Sequence, residues 1–171
     1  DYDQDGLEDL VIGNYGFYKG GIYESKLTLY KNIGTVLKPE FQLVDSNYLD
    51  TKSLNLRALY PAFGDLDNDG DKDLVLGERY GFLIHYENTA GAGNISNFIL
   101  RSTAFKSIDA GQFAAPQIVD VNRDGKADII VGTRNGNIKY YENIGTQGNF
   151  DFDASKEIIL GGVDVRTRGI T

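Results

Sequence analysis

The chain has 171 residues, 41% of them hydrophobic and 25% charged. That is room for one globular domain of ordinary size, or for part of a larger one, and it is not the composition of a disordered chain. The absence of Cys excludes disulfides, thiolate zinc sites and cysteine nucleophiles, and any His-based zinc site or Ser-His-Asp triad would have to use the one histidine, His85. A net charge of −8, from 17 basic and 25 acidic residues, argues against a nucleic-acid binder and suits cations instead. No apolar run approaches the roughly 18 residues of a membrane-spanning helix, so membrane insertion is not expected. The chain contains no Met and no secretory signal, and it reads as a mature or excised piece of a longer protein.

In chain order, the first feature is an acidic stretch, Asp1-Tyr2-Asp3-Gln4-Asp5-Gly6-Leu7-Glu8-Asp9, followed by the apolar run Leu10-Val11-Ile12-Gly13. The pattern returns at Asp65-Leu66-Asp67-Asn68-Asp69-Gly70-Asp71-Lys72-Asp73 and at Asp120-Val121-Asn122-Arg123-Asp124-Gly125-Lys126-Ala127-Asp128, each again followed by an apolar run ending in Gly. Every copy then reaches a Gly-containing turn and later an aromatic-x-Asn end: Tyr30-Lys31-Asn32, Tyr86-Glu87-Asn88 and Tyr141-Glu142-Asn143. From the last loop Asp to that Asn the gaps are 23, 15 and 15 residues, so the first unit carries about eight extra residues around Phe17 to Tyr23. Internal repetition of this kind takes precedence over any local reading.

The periodicity within a unit is that of β-structure. Leu74-Val75-Leu76 and Ile129-Ile130-Val131 are short apolar runs of the kind found in buried strands. Arg134-Asn135-Gly136 predicts a hairpin with a type I′ turn, because Asn-Gly accepts positive φ at both central positions. A short strand is expected before each loop, at Ala62–Gly64 and Gln117–Val119, each entered through a proline. An outer strand is expected over Asn97 to Leu100, with equivalents near Phe41 to Val44 and Phe150 to Asp153. No amphipathic helix longer than two turns is visible.

The fold class is therefore all-β: a partial β-propeller of about three four-stranded antiparallel blades, near residues 1–55, 56–110 and 111–165. A lone four-stranded sheet cannot cover both of its faces, so each blade must stack on neighbours. A closed ring uses roughly 4–8 blades, so the chain reads as a single propeller arc over 1–171. The first blade lacks its opening strand, and Val163 to Thr171 leads into a blade of the parent chain that is missing here.

The loops share the pattern Asp-x-Asp/Asn-x-Asp-Gly-x-x-Asp. Alternate residues place three side-chain oxygens on one side of a tight turn, and the glycine permits a sharp reversal. The carbonyl at position 7 (Leu7, Asp71, Lys126) can then point inward, and the Asp at position 9 closes the cage. About six or seven hard oxygens suit Ca²⁺, whereas Mg²⁺ demands a stricter octahedron and suits them less. Without N or S ligands, transition metals are disfavoured. The candidate metal-ligating residues are Asp1, Asp3, Asp5, Leu7 and Asp9; Asp65, Asp67, Asp69, Asp71 and Asp73; and Asp120, Asn122, Asp124, Lys126 and Asp128. An EF-hand would need Glu at position 12, where this chain has Ile12, Leu76 and Val131. Eleven of the 25 carboxylates are side-chain ligands proposed in these loops, and three Ca²⁺ ions would bring the formal charge from −8 to −2. Asn122 gives the third loop one carboxylate fewer and hence weaker binding at equal geometry.

The loop motif, the apolar run ending in Gly and the aromatic-x-Asn-x-Gly ending resemble the FG-GAP repeats of integrin α-subunits and of bacterial secreted proteins, especially the bacterial branch. The resemblance covers nearly the whole chain, although Phe63-Gly64 and Ala114-Ala115-Pro116 only partly echo the signatures that name the family. It implies Ca²⁺ at positions 1, 3, 5, 7 and 9 of each loop, pinning the turn between the first two strands of a blade. It also implies a secreted or cell-surface setting.

The function expected is that of a calcium-stabilised, non-catalytic extracellular binding or adhesion module with a protein or glycan ligand. Two alternatives stand beside it: part of a propeller-type polysaccharide lyase or hydrolase, and a passive spacer or cargo domain of a large surface protein. No unrepeated carboxylate pair or Lys/Arg/Tyr constellation favours the enzyme, and His85 lies mid-strand without a repeated counterpart. Tyr30, Tyr86 and Tyr141 are expected to pack between blades and to take a side-chain hydrogen bond from the nearby Asn. The aromatic insertion in the first unit is expected to serve either as an inter-blade contact or as a binding surface.

Overall fold

A computed structural model describes residues 1–146 and 148–165. It is all-β, with four antiparallel sheets and only short 3₁₀ turns besides. The strands are β1 (Leu10–Gly13), β2 (Phe17–Lys19), β3 (Ile22–Glu24), β4 (Leu27–Asn32), β5 (Phe41–Tyr48), β6 (Tyr60–Gly64) and β7 (Asp73–Gly77). They continue with β8 (Leu83–Asn88), β9 (Phe98–Ser102), β10 (Ala115–Val119), β11 (Asp128–Gly132), β12 (Asn137–Tyr141) and β13 (Ile158–Asp164). The first sheet has the order β1-β4-β5, the second β6-β7-β8-β9 and the third β10-β11-β12-β13. The aromatic insertion forms a separate two-stranded ribbon, β2-β3, whose Phe17 and Tyr18 are exposed.

Stacking of the three larger sheets explains why the apolar runs do not alternate with polar residues. β7 is buried along its whole length. Its Leu74 and Leu76 pack with Leu27, Leu59, Ile84 and Tyr86 against the first sheet. Val75, on the opposite face, packs with Leu83, Ile129, Val131 and Tyr141 against the third. A strand covered on both faces needs no polar face, so the middle sheet reads as a continuous hydrophobic run. In β1, by contrast, only Val11 packs on the shared core, while Leu10 and Ile12 are exposed.

A repeated backbone clasp holds neighbouring sheets together. The Leu59 and Ala58 N–H groups donate to the Asn14 and Tyr15 carbonyls at 3.1 and 2.9 Å. The Ala114 and Phe113 N–H groups donate to the Glu78 and Arg79 carbonyls at 3.1 and 2.9 Å. The clasp brings the chain so close that a Cβ on Gly13 or Gly77 would lie 2.0 or 2.1 Å from the Leu59 or Ala114 carbonyl oxygen. This is why each apolar run that meets a following sheet ends in glycine.

Three local expectations are corrected. At Arg134-Asn135-Gly136 only Gly136 takes positive φ (77°), and its N–H donates to the Thr133 carbonyl at 3.0 Å. The turn is therefore not type I′; the single left-handed glycine leads the chain back into β12. The outer strand of the third sheet is not at Phe150–Asp153, where a lone bridge pairs Asn143 with Phe152. Asp153 accepts the Ser155 N–H at 3.0 Å and starts a 3₁₀ turn over Ala154–Lys156, so pairing resumes only at β13. The expected hydrogen bond from the repeated Asn to the aromatic ring is not formed. Tyr141 instead donates its hydroxyl to Glu157 at 2.8 Å, and the Asn side chain closes its own turn. Of the expected lead-in Val163–Thr171, Val163 and Asp164 end β13, and residues 166–171 lie outside the described residues.

Candidate metal centres

Each acidic loop joins two adjacent strands of one sheet or leads into β1, and all three share one backbone course. Position 4 is left-handed in each, at Gln4 (φ 62°), Asn68 (64°) and Arg123 (62°). Position 6 is left-handed as well, at Gly6 (88°), Gly70 (93°) and Gly125 (87°). Nothing lies within 4 Å of a Cβ placed on Gly6 or Gly125, so glycine is needed there for its dihedral and not for space.

The side chains at positions 1 and 5 fold the loops onto themselves. Asp1, Asp65 and Asp120 each accept the N–H of position 5 on Oδ1, at 3.1 to 3.2 Å, and that of the glycine on Oδ2, at 2.9 to 3.0 Å. Asp5, Asp69 and Asp124 accept the N–H of Leu7, Asp71 and Lys126 at 3.0, 2.9 and 3.0 Å. At position 3, Asp67 and Asn122 accept the N–H of Asp69 and Asp124 at 3.3 and 2.9 Å, whereas Asp3 is held by Lys31.

Position 9 ties each loop to its sheet. Asp9, Asp73 and Asp128 accept the N–H of the repeated Asn32, Asn88 and Asn143 at 2.8, 2.9 and 2.8 Å. Their other oxygen accepts the N–H of Tyr2, Leu66 and Val121. Each carboxylate oxygen has two lone pairs, so Asp9 and Asp73 keep one per oxygen for a cation, whereas Asp128 Oδ2 also accepts the Tyr140 hydroxyl at 3.2 Å and only its Oδ1 keeps one. Asn32, Asn88 and Asn143 in turn accept two backbone N–H groups each on Oδ1, including Gly34, Ala90 and Gly145. The Asp-Asn relay is what makes the distant aromatic-x-Asn ending part of the loop.

Carboxylate oxygens of Asp1, Asp3 and Asp9 lie within 4.8 Å of one another, as do those of Asp65, Asp67 and Asp69. The third loop differs: the Asn122 amide donates to Asp124 and Glu142, each at 3.3 Å, and Lys126 Nζ lies 3.2 Å from Asp124 Oδ2. The electrostatics of the second loop are the most demanding. Burial pushes the Asp73 carboxyl up to about 7 against the pull of its two N–H donors, and the charges of Asp67 and Asp71 add to the rise. Burial and like-charged neighbours raise Asp67 and Asp71 too. Asp71 accepts the Gly91 N–H at 2.7 Å on one oxygen, while its other oxygen is buried without any partner. Asp3 also has a buried oxygen without a partner. Buried carboxylate oxygens that no N–H or O–H satisfies call for a cation, and an all-oxygen donor set fits Ca²⁺.

The opposite end of the sheets carries a grouping that the linear sequence did not reveal. Tyr15 and Phe113 stack with ring centres 6.1 Å apart and planes 14° apart. The guanidinium carbons of Arg79 and Arg134 lie 6.0 and 5.8 Å from the same Phe113 ring, and Tyr60 completes the groove. Tyr15, Arg79 and Arg134 each stand two residues after the glycine that ends an apolar run. That shared offset was the one signal available. His85 is buried between Phe105 and Phe150, with ring centres 4.7 and 5.3 Å away, and burial lowers its pKa to about 4. It faces neither the loops nor the groove and packs as a core residue.

Comparison with curated proteins gives no match, and comparison with solved structures gives none. The family model described as an FG-GAP-like repeat matches residues 1–76, a span that holds the first loop, the first sheet and the second loop with most of β7. The match and the loop geometry within it agree, and residues 1–76 carry an FG-GAP-like repeat.

Proposed function

We propose that this chain is a calcium-stabilised, non-catalytic binding or adhesion module built of three propeller-type blades and working outside the cell. The observation that carries the reading is the threefold recurrence of one loop backbone, left-handed at positions 4 and 6, with its ninth-position Asp locked to the repeated Asn. In each loop, positions 1, 3, 5 and 9 would hold Ca²⁺ through side chains, and Leu7, Asp71 and Lys126 through their carbonyls. The ion would neutralise clustered carboxylates and so fasten the turn between strands; its role is structural. Sites of the millimolar to sub-millimolar class are filled outside cells and empty in cytosol, which favours an extracellular setting. No helix among the described residues is long and apolar enough to cross a membrane.

The groove of Tyr15, Tyr60, Arg79, Phe113 and Arg134 is the ligand face of this reading, suited to an acidic glycan or protein group laid across aromatic rings. The polysaccharide lyase or hydrolase reading, and that of a passive spacer, remain as competitors.

Thermal unfolding with calcium and with a chelator tests the core of the proposal. At free Ca²⁺ a hundredfold above Kd, each ion stabilises the fold by about 2.7 kcal/mol, so the calcium-loaded midpoint must lie well above the chelated one. Equal midpoints would refute a structural ion. A glycan array combined with a lyase assay separates binding from catalysis.

A further inference from the structure

The residue between the aromatic and the Asn of each unit ending is Lys31, Glu87 or Glu142. The same repeat position touches the acidic loop in the first and third units. Glu142 accepts from Asn122 at 3.3 Å, and Glu87 accepts from Arg101 Nε at 2.9 Å. In the first unit the sign is reversed. Lys31 Nζ lies 2.9 Å from Asp5 Oδ2 and also contacts Asp3 Oδ2, so one ammonium bridges two carboxylates of the loop.

The second loop has the opposite character. Its five aspartates enter no ion pair among the described residues. Asp3 and Asp71 each keep one buried oxygen without a hydrogen-bond partner, but the other oxygen of Asp3 has the Lys31 ammonium, whereas that of Asp71 has only the Gly91 N–H.

We propose that Lys31 is a tethered counter-ion of the first loop, closing it without a metal and weakening its hold on Ca²⁺, and that the second loop is the primary calcium site. This rests on the calcium reading above. A divalent ion entering the first loop must expel the ammonium from Asp3 and Asp5 or share them with it. A unit charge about 4 Å from a double charge in water lowers affinity roughly 30-fold.

Calcium titration of the full chain by native mass spectrometry and calorimetry tests this. The wild type should bind one ion ahead of the others, because an ammonium sits on the first loop (Lys31) and on the third (Lys126), and the first-loop ion should be roughly 30-fold weaker. Lys31→Gln should strengthen one of the weaker ions by about that factor, and Lys31→Glu, which restores the residue type of the other units, by more. Asp69→Asn should remove the tightest ion. In chelator, where bound metal plays no part, Lys31→Gln should unfold at lower temperature than wild type. Three wild-type ions of equal affinity would overturn the proposal and leave the calcium reading standing. So would failure of both Lys31 variants to strengthen any of the weaker ions, or survival of the tightest ion in Asp69→Asn. If no variant binds calcium, the calcium reading itself fails, and the proposal fails with it.

Discussion

The sheet-to-sheet clasp can be tested by adding one methyl group. Gly77 ends β7 with an unexceptional φ, so Gly77→Ala meets no dihedral penalty and acts through space alone. Its Cβ would lie 2.1 Å from the Ala114 carbonyl oxygen and 2.6 Å from Pro116 Cδ, where ordinary contacts are 3.4 to 4 Å. The third sheet must therefore move back by more than 1 Å. That breaks the bonds of 2.9 and 3.1 Å from the Phe113 and Ala114 N–H groups and leaves buried donors unpaired. Two lost bonds with their desolvation penalties, plus the strain of a displaced core, come to about 3–5 kcal/mol. Gly132 is the control. It ends β11 at the equivalent position, and its Cβ would meet no described atom closer than the Ala115 carbonyl oxygen at 3.9 Å. Gly132→Ala should be neutral or stabilise by about 0.4–1 kcal/mol through the unfolded chain. Urea unfolding in saturating calcium, followed by far-UV circular dichroism and by fluorescence of the 11 tyrosines, measures both variants. Equal losses in the two, or an unchanged Gly77→Ala midpoint, would refute the close-approach argument.

Asn88→Ala removes the acceptor of the Asn97 and Ala90 N–H groups, at 2.8 and 3.3 Å, and should cost about 2–4 kcal/mol in the same urea assay. His85 has a pKa depressed by burial to about 4 from an ordinary 6.5, so between these values the unfolded chain binds the extra proton. Stability should then fall as pH drops from about 6.5 to 4, by up to about 3 kcal/mol from this group. Urea midpoints at several pH values should show a shallower acid loss in His85→Phe than in wild type. The variant should be no less stable at neutral pH, because His85 Nε2 is buried without a hydrogen-bond partner.

What the sequence determined by itself is whatever the chain encodes over a few residues. The loops were legible because Asp at positions 1 and 5 grips N–H groups within five residues of itself, and the glycine dihedral is a property of one position. The β-strands and the extra aromatic ribbon followed from short-range pattern and from comparison of the repeats. The tertiary structure alone decided the rest, because the partners come from far along the chain. Gly77 is required by Ala114, which arrives from the next sheet. Lys31 reaches an acidic loop 28 residues before it, and its sign matters only once that approach is made. Arg79, Phe113 and Arg134 converge because adjacent sheets stack at the ends remote from the loops. The outer strand of the third sheet moved to β13 because a local Asp153 cap competed with strand pairing and won over a few residues. Pattern within a repeat fixes which backbone forms, but contacts between repeats depend on how the sheets stack, and no single unit contains that information.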